Sequence, residues 1–373
     1  MSALLNRTVT VIGAGIGGLT AALALASRGA RVTVMERAPE LGDVGAGIQL
    51  SANAVRVLDA LGAGSALHAA ARRTDAVQLN DAHGRRVLRM DLRAHRPDAP
   101  FLLIHRPRLI ALLANAARQA GVIVELGRTV LDPVGTLTIA ADGLRSSHRA
   151  ALNGQQVPFF TGQTAWRALI PDPGSAPEAQ VFMAPRRHLV SYPLPGGLRN
   201  IVAVEERPDW QDEGWSHPGD PDRLRANFAG MGGPVPGWLA QVDRTHLWGL
   251  FRHPVASRWH DDRLALLGDA AHPTLPFLAQ GAGMAIEDAW TLAACLDAIA
   301  DQPRALARYQ ALRHPRVTRI VEAANANARN YHFGGVMRFG AHSVLRLADR
   351  FAPSLMPGRF DWLYDFDPMA QRP

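Results

Sequence analysis

Apolar and polar positions near the start of the chain follow two different periods in turn. Thr8 to Ile12 is a β-branched run that predicts a buried strand, and Arg31 to Met35 predicts a second one. Between them, the Ala- and Leu-rich stretch Leu19 to Arg28 predicts a helix that ends at Gly29. A strand, helix and strand in this order are typical of a parallel sheet covered by helices.

The turn between the first strand and the helix is rich in glycine. Gly13 permits a tight turn, Gly15 lets backbone amides approach a pyrophosphate, and Gly18 lets the helix pack closely on the strand. Glu36, at the end of the second strand, has the spacing of the acidic residue that accepts hydrogen bonds from an adenosine ribose. A carboxylate there disfavours a 2′-phosphate, so the unit is predicted to bind FAD or NAD.

The middle of the chain has the pattern of a different sheet. Short apolar runs separated by proline and glycine predict mostly antiparallel strands at Trp166 to Ile170, Gln180 to Met183, His188 to Tyr192 and Asn200 to Val204. Residues 303–331 have a helical pattern.

A third informative segment follows the apolar strand Arg263 to Leu267. Asp269 comes at the carboxyl end of that strand, where α/β folds place ligand contacts. Pro276 restricts the backbone of the next turn. Gly281 has no side chain, so it leaves the backbone N–H groups at the start of the following helix accessible. His272 has two interpretations, a structural hydrogen-bonding role and a role in proton transfer.

Composition and charge exclude several classes of protein. The chain has 373 residues, of which 47% are hydrophobic and 20% are charged, as in ordinary globular proteins. Its net charge of +7 comes from 40 arginines without a lysine, and their scatter argues against nucleic-acid binding. Cys295 alone permits no intramolecular disulfide and no cysteine-cluster metal site, and no metal is predicted. Lacking a membrane-spanning apolar run or signal peptide, the chain is expected to be cytoplasmic.

Three dispersed segments carry a resemblance to a known family. They are residues 45–54, residues 137–146 with Arg149, and residues 264–284, accompanied by Arg106 and the Trp166-Arg167 pair. Together they resemble the group A flavoprotein aromatic hydroxylases, and within them the salicylate hydroxylase and 3-hydroxybenzoate 6-hydroxylase group. The resemblance runs in the right order over nearly the whole chain.

The resemblance implies an α/β fold and a division into domains. It implies a Rossmann-like FAD-binding domain of the glutathione-reductase type, formed by residues 1–75, 101–159 and 256–300. Residues 76–100 and 160–255 are expected to form an inserted, mostly antiparallel β-sheet substrate domain. Residues 301–373 are expected to form a C-terminal helical region.

The implied activity is the hydroxylation of a small aromatic acid or phenol. FAD would be the cofactor, NADH or NADPH and O₂ the co-substrates, and a flavin C4a-hydroperoxide the oxygen donor. Two alternatives stay open: an FAD-linked dehydrogenase or oxidase, and a non-catalytic flavoprotein. A homodimer is compatible with the sequence, which does not determine the oligomeric state.

The resemblance and the patterns above together give a set of candidate site residues. The predicted cofactor contacts are Gly13, Gly15, Gly18, Glu36, Arg37, Ala46, Gly47, Arg106, Val130, Asp142, Asp269, Pro276, Gly281, Ala282 and Gly283. The predicted substrate contacts are Gln49, Tyr192, Phe277 and Leu278, for each of which a packing role is an equal alternative.

The sequence departs from the family at two informative places. Only residues 129–135 separate Arg128 from the strand before Asp142, where the family has a longer β-meander. In addition, Glu205 or Glu206 stands where the 3-hydroxybenzoate 6-hydroxylases have a histidine base. Glu206 is the first candidate base, with His188 and Tyr192 next, and solvation of both glutamates near Arg207 is the alternative. Adjacent residues of a strand face opposite sides, so at most one glutamate faces inward.

Overall fold

The structure, a computed structural model, describes residues 2–42, 47–208, 210 and 217–373. The predicted cofactor contact Ala46 lies outside the described residues. Within them, the strands are β1 Thr8–Ile12, β2 Arg31–Met35, β3 Gly47–Leu50, β4 Arg72–Arg73, β5 Ala76–Asp81, β6 Arg86–Asp91, β7 Leu102–His105, β8 Ile123–Glu125, β9 Thr138–Ala140, β10 Phe159–Pro171, β11 Glu178–Ala184, β12 Arg187–Leu194, β13 Leu198–Glu206, β14 His217–Gly219, β15 Thr245–Arg252 and β16 Leu264–Leu266.

The α-helices of the described residues are spread along the whole chain. They are α1 Ile16–Ala26, α2 Ala52–Ala60, α3 Gly64–Ala70, α4 Leu92–His95, α5 Arg106–Gln119, α6 Ser147–Asn153, α7 Pro221–Phe228, α8 Val235–Ala240, α9 Gly281–Ala298, α10 Gln302–Tyr331, α11 Gly335–Phe351, α12 Leu355–Gly358 and α13 Asp361–Tyr364. Short 3₁₀ helices cover Gly268–Ala270, Pro276–Leu278 and Pro368–Ala370.

A parallel sheet forms the first half of the fold. Its strands lie in the order β16-β9-β1-β2-β8, and every neighbouring pair is parallel. The helices α1, α5 and α9 pack together beside it and share one apolar core with its strands. Because strands distant in sequence share this sheet, motifs from four parts of the chain meet at its carboxyl edge.

An antiparallel sheet forms the second half. Its order is β14-β15-β10-β13-β12-β11-β5-β6, and all of its pairs are antiparallel except β11 with β5. The helices α7 and α8 share an apolar core with one of its faces. A small antiparallel sheet, β3-β7-β4, contacts β12 of the antiparallel sheet through β7. The predicted fold class is therefore confirmed, whereas the predicted domain bounds stay a prediction.

The C-terminal helices are anchored by a buried ion-pair network between α9 and α10. The guanidinium of Arg313 donates to Glu287 at 2.5 Å and to Asp288 at 2.6 Å, and all three side chains are fully buried. Burial alone would raise the pKa of Asp288, but His272 and Arg313 hold that pKa at about 2. The charges of this network are therefore paired in the folded chain.

The segment between β8 and β9 is short and irregular. Residues 126–137, where the family has a β-meander, contain no strand, and β8 stands at the edge of the parallel sheet with Ile123 exposed. In the part of the chain that the structure describes, no helix combines the length and the apolar character that crossing a membrane requires.

Candidate active site

One large cavity lies where the two large sheets meet. Its volume is about 750 Å³, and residues of the parallel sheet, the small sheet and the antiparallel sheet line it. A cavity of this size falls within the range of cofactor and ligand sites. Its two ends have different chemistry, a glycine- and carboxylate-rich end and an end with aromatic and basic side chains.

The glycine-rich end begins at the carboxyl end of β1. Gly13 has a φ of +98°, and a Cβ on it would lie 2.4 Å from the carbonyl oxygen of Ala141. A Cβ on Gly18 would lie 1.9 Å from the carbonyl oxygen of Gly13, so α1 packs directly against the turn. A Cβ on Gly15, by contrast, would meet no atom within 4 Å. Gly15 therefore leaves open space at the start of α1, where an anion is favoured.

Glu36 stands beside this turn and lines the cavity together with Arg37. One carboxylate oxygen accepts the N–H of Ala14 at 2.7 Å, and the other accepts the N–H of Ala38 at 2.9 Å. Each carboxylate oxygen has a second lone pair. The two hydrogen bonds from the backbone therefore orient Glu36 and leave its carboxylate able to accept hydrogen bonds from ribose hydroxyl groups.

The Asp142-Gly143 turn contributes a second acidic group to the cavity wall. Asp142 Oδ2 lies 2.9 Å from Nδ1 of His148, while Asp142 Oδ1 is buried and has no hydrogen-bond partner among the described residues. Arg149 of α6, the helix that follows this turn, donates to the carbonyl oxygen of Ala271 at 2.9 Å and so connects α6 to the segment after β16. Burial lowers the pKa of Arg149 to about 10.

The segment after β16 completes the carboxylate-rich end. Burial raises the pKa of Asp269, and the charges of His272 and Arg106 oppose this rise. Both Asp269 and Arg106 line the cavity, as does Gly281 at the first turn of the 18-residue helix α9. An open glycine cradle, an unpartnered buried acceptor, two further carboxylates and a helix N-terminus are the groups that a dinucleotide such as FAD requires. The residues present fit FAD.

The other end of the cavity is formed mainly by β10, β12, β13 and β15. The Arg167 guanidinium lies 4.0 Å from the centre of the Trp248 ring, and both residues line the cavity. Burial raises the pKa of Tyr192 far above its usual value, although Arg167 and a hydrogen bond with Gln49 oppose this. Tyr192 is therefore a proton donor in hydrogen bonds at neutral pH rather than a base. The apolar wall between these groups consists of Val190, Val202, Val204, Leu250 and Phe277.

His188 lies on the same strand face as Tyr192 and also lines the cavity. Its Nδ1 lies 2.8 Å from Nε2 of His332, and its Nε2 is buried without a hydrogen-bond partner among the described residues. The centre of its ring lies 5.1 Å from that of Phe277. Burial, and then the nearby His332, hold the pKa of His188 well below its ordinary value, so the imidazole is neutral at neutral pH.

Most of the predicted site residues lie on this one cavity, although their roles stay a prediction. The cavity is lined by Gly13, Gly15, Glu36, Arg37, Gly47, Gln49, Arg106, Val130, Asp142, His188, Tyr192, Asp269, Pro276, Phe277, Gly281 and Ala282. The structure does not bring four others to it, Gly18, Leu278, Gly283 and Glu206.

The positions of those four residues have physical reasons. Gly18 packs against Gly13, as described above, and Leu278 is buried in the core of the parallel-sheet half. A Cβ on Gly283 would lie 2.9 Å from Oε1 of the buried Gln280, so this glycine makes room for a side chain of the protein. Glu206 ends β13, and its carboxylate lies 2.8 Å from Nδ1 of His332.

Glu205 faces the opposite side of the antiparallel sheet. It accepts the indole N–H of Trp166 at 3.1 Å and the side-chain amide of Asn227 at 2.8 Å. It is thus held between the sheet and α7, away from the cavity. His272 pairs with the buried Asp288, which agrees with its structural interpretation.

Two residues of the site have no signal in the sequence. Trp248 belongs to no motif, whereas Arg167 stands in the Trp166-Arg167 pair. His332 gave no local signal, because it is separated from His188 by 144 residues and follows the last turn of α10.

Comparisons with known proteins agree with this site. The profile of the family described as "FAD binding domain" matches residues 6–132 and 135–324. The chain belongs to this family, and the class that its fold and site define is that of the FAD-dependent aromatic monooxygenases. The interruption of the match falls in the shortened segment between β8 and β9.

The similarity extends over almost the whole chain. The chain is 35% identical to the 3-amino-4-hydroxybenzoate 2-monooxygenase PtnB3 of Streptomyces platensis, over 96% of each protein. It is 34% identical to the 3-hydroxybenzoate 6-hydroxylase of Klebsiella oxytoca, over 88% of this chain and 89% of that one. A solved salicylate hydroxylase in complex with substrate superimposes with a TM-score of 0.81 at 26% identity, over 98% and 97% of the two chains. The predictions of FAD as the cofactor and of a flavoprotein monooxygenase are confirmed.

Proposed function

We propose that this protein hydroxylates a small phenolic acid, with NADH or NADPH as the reductant and O₂ as the oxygen source. The observation that carries the proposal is the continuity of one cavity from the glycine cradle at Gly15 to the polar groups of Arg167, Tyr192 and His188. A cofactor and an aromatic compound can thus occupy one continuous space. Relatives named for 3-amino-4-hydroxybenzoate and 3-hydroxybenzoate support the substrate class.

The carboxylate-rich end would hold FAD. Gly15 and the start of α1 would receive the pyrophosphate, Glu36 a ribose, and Asp269 a hydroxyl of the ribityl chain. The first turn of α9 adds a positive helix end to the same wall. When bound, FAD supplies the electron transfer from nicotinamide and the activation of O₂.

The opposite end has the groups that a phenolic acid requires. Arg167 is a cation on the cavity wall and would attract a carboxylate, while Tyr192 and Gln49 would hydrogen-bond to it. Val190, Val202 and Trp248 give the aromatic ring an apolar surface. These residues orient the substrate and exclude water from it.

His188 is the residue proposed to take the substrate's hydroxyl proton. It is neutral because burial lowers its pKa, and its Nε2 has no partner among the described residues. Removing the hydroxyl proton makes the ring electron-rich, which favours attack on an electrophilic oxygen. Glu206 does not line the cavity and cannot contact the substrate directly, so His188 replaces it as the candidate base.

The rate at which NADH or NADPH is oxidised, with and without an aromatic acid, tests the proposal. The FAD-loaded protein should oxidise NADH or NADPH faster when 3-hydroxybenzoate, salicylate or 3-amino-4-hydroxybenzoate is added, and chromatography should detect a hydroxylated product. An FAD-linked dehydrogenase or oxidase would form no hydroxylated product, and a non-catalytic flavoprotein would not be reduced. Either of those results with all three acids would contradict the proposal.

A further inference from the structure

We propose that His188, His332 and Glu206 form a proton relay that carries the substrate's hydroxyl proton from the cavity wall to solvent. The inference rests on the proposed function, because it requires a phenolic substrate. It adds two positioning residues, His332 and Glu206, which lie outside the cavity and act through His188.

The three side chains form an unbroken chain of hydrogen bonds. His188 Nδ1 lies 2.8 Å from His332 Nε2, and His332 Nδ1 lies 2.8 Å from Oε1 of Glu206. His188 is fully buried, the His332 side chain is 3% exposed, and the Glu206 side chain is 35% exposed. The chain of bonds thus leads from the cavity wall to the protein surface.

The carboxylate at the outer end fixes the protons along this chain. Ionised Glu206 can only accept, so His332 Nδ1 carries the hydrogen and donates it. A neutral His332 then has a bare Nε2, which accepts the Nδ1–H of His188. His188 Nε2 is consequently left with a lone pair, the state that a proton acceptor must have, and His188 is one of the residues that line the cavity.

The surroundings keep both imidazoles neutral. Burial lowers the pKa of His188 and of His332. For His332, the hydrogen bond with Glu206 and the charge of Glu206 oppose this lowering. The ring of Tyr331 faces His188 at 5.2 Å, and burial raises the pKa of that tyrosine to about 12, so it is uncharged. At the outer end, Nε of Arg186 donates a hydrogen bond to Oε2 of Glu206 at 3.2 Å.

Proton balance explains why a relay is useful at this position. If His188 kept the substrate's proton, an imidazolium would stay buried beside apolar rings, which is costly. In the relay, the substrate O–H bond breaks and an N–H bond forms at His188 Nε2. The Nδ1 proton of His188 passes to His332 Nε2, the Nδ1 proton of His332 passes to Glu206, and Glu206 releases a proton to water. When the product hydroxyl is protonated again, the same transfers run in reverse and restore the starting tautomers.

The ionisation of a bound phenol tests the relay without turnover. Oxidised, FAD-loaded enzyme is mixed with 3-hydroxybenzoate or 3-amino-4-hydroxybenzoate in a stopped-flow instrument, and the ultraviolet phenolate band is followed. His332→Gln keeps a polar side chain but cannot pass a proton on. It should slow phenolate formation about tenfold or more, within the range of general acid–base effects, with an unchanged substrate Kd. His342→Gln, which removes another buried histidine, is the matched control and should keep the wild-type rate.

Two further measurements protect the test against a misfolded variant. Glu206→Gln changes a partly exposed side chain and should slow phenolate formation less than His332→Gln does. Glu206→Asp keeps a carboxylate and should restore the wild-type rate. In the wild type, the rate plotted against the deuterium fraction of the solvent should curve, because several protons move together. A linear plot, or wild-type rates in both His332→Gln and Glu206→Gln, would overturn the relay. If wild-type enzyme hydroxylates these phenols while the variants match it, only the relay fails; if it hydroxylates no phenol, the proposed function fails.

Discussion

The carbonyl oxygen of Ala141 lies 2.4 Å from the position that a Cβ on Gly13 would occupy. This close approach joins the glycine-rich turn after β1 to the Asp142-Gly143 turn after β9, its neighbour in the parallel sheet. Gly15, two residues further on, faces open space instead. The two glycines therefore serve different purposes, one in the fold and one toward the cofactor.

Alanine substitutions separate these two purposes. Gly13→Ala adds a clash with backbone at a φ of +98°, so we expect loss of both FAD binding and thermal stability. Gly15→Ala adds a methyl group that meets no protein atom within 4 Å, so the apoprotein should keep its melting temperature and bind FAD more weakly. Thermal melts of the apoproteins and FAD titrations measure this. Equal FAD affinity in Gly15→Ala and wild type would argue against the pyrophosphate position.

Replacement of Glu36 should weaken the binding of FAD. Glu36→Ala removes a charged acceptor worth about 1.5–3 kcal/mol, which corresponds to a rise in Kd on the order of 10- to 100-fold. The variant also loses the bonds to Ala14 and Ala38, so Glu36→Gln, which keeps one acceptor oxygen, is the matched comparison. We expect the Kd of Glu36→Gln for FAD, measured by fluorescence titration, to lie between those of the wild type and Glu36→Ala. Unchanged flavin retention in Glu36→Ala after gel filtration would refute the assignment.

Arg167 should discriminate in favour of aromatic acids. Arg167→Met keeps an apolar side chain next to Trp248 and removes the charge. The Kd of 3-hydroxybenzoate should rise on the order of 10-fold or more, because a charge-assisted hydrogen bond is lost, while that of phenol should change little. Substrate-induced changes in the flavin spectrum give both constants. Equal weakening for both ligands would mean that Arg167 acts through packing alone.

The sequence predicted the parallel core well because its signals are local. β1 and β2 have the predicted bounds, and the helix between them begins at Ile16 rather than Leu19, since the glycines of the turn already belong to it. Gly29 has the left-handed backbone that its role in ending the helix requires. The patterns of β10 to β13 gave strand centres but not their full lengths, because tertiary pairing extends them.

The catalytic end of the site could not be read from the sequence in the same way. Alternation along β13 means that Glu205 and Glu206 face opposite sides of the antiparallel sheet. One side packs against α7 and the other side lines the cavity, so both sides are interior. No pattern within the strand distinguishes those faces. The contact between His188 and His332 depends on how α10 packs against β12, which only the folded chain defines.

Acid should destabilise the folded protein near the ordinary pKa of histidine. Burial lowers the pKa of His188, His253 and His342 in the fold, whereas a histidine in the unfolded chain titrates near ~6.5. Below that pH the unfolded state binds more protons, so the contribution of these groups is complete above pH ~6.5 and is lost as the pH falls through the folded-state pKa values.

Urea denaturation at several pH values checks this dependence. The free energy of unfolding should fall between about pH 7.5 and 5.5, by at most about 1.4 kcal/mol per pH unit for each histidine. His188→Gln should flatten the dependence, because it removes the most deeply buried of these groups. A wild-type free energy that is constant over this range would contradict the neutral, buried state assigned to these histidines.

The fate of molecular oxygen tests the central claim most directly. Wild-type holoenzyme is supplied with ¹⁸O₂, a reductant and the aromatic acid that stimulates reductant use most, and the product is analysed by mass spectrometry. A monooxygenase of the proposed kind should place one ¹⁸O atom in each hydroxylated product and consume one NADH or NADPH for it. Hydrogen peroxide as the only oxygen product with every aromatic acid, or product oxygen derived from water, would contradict the account.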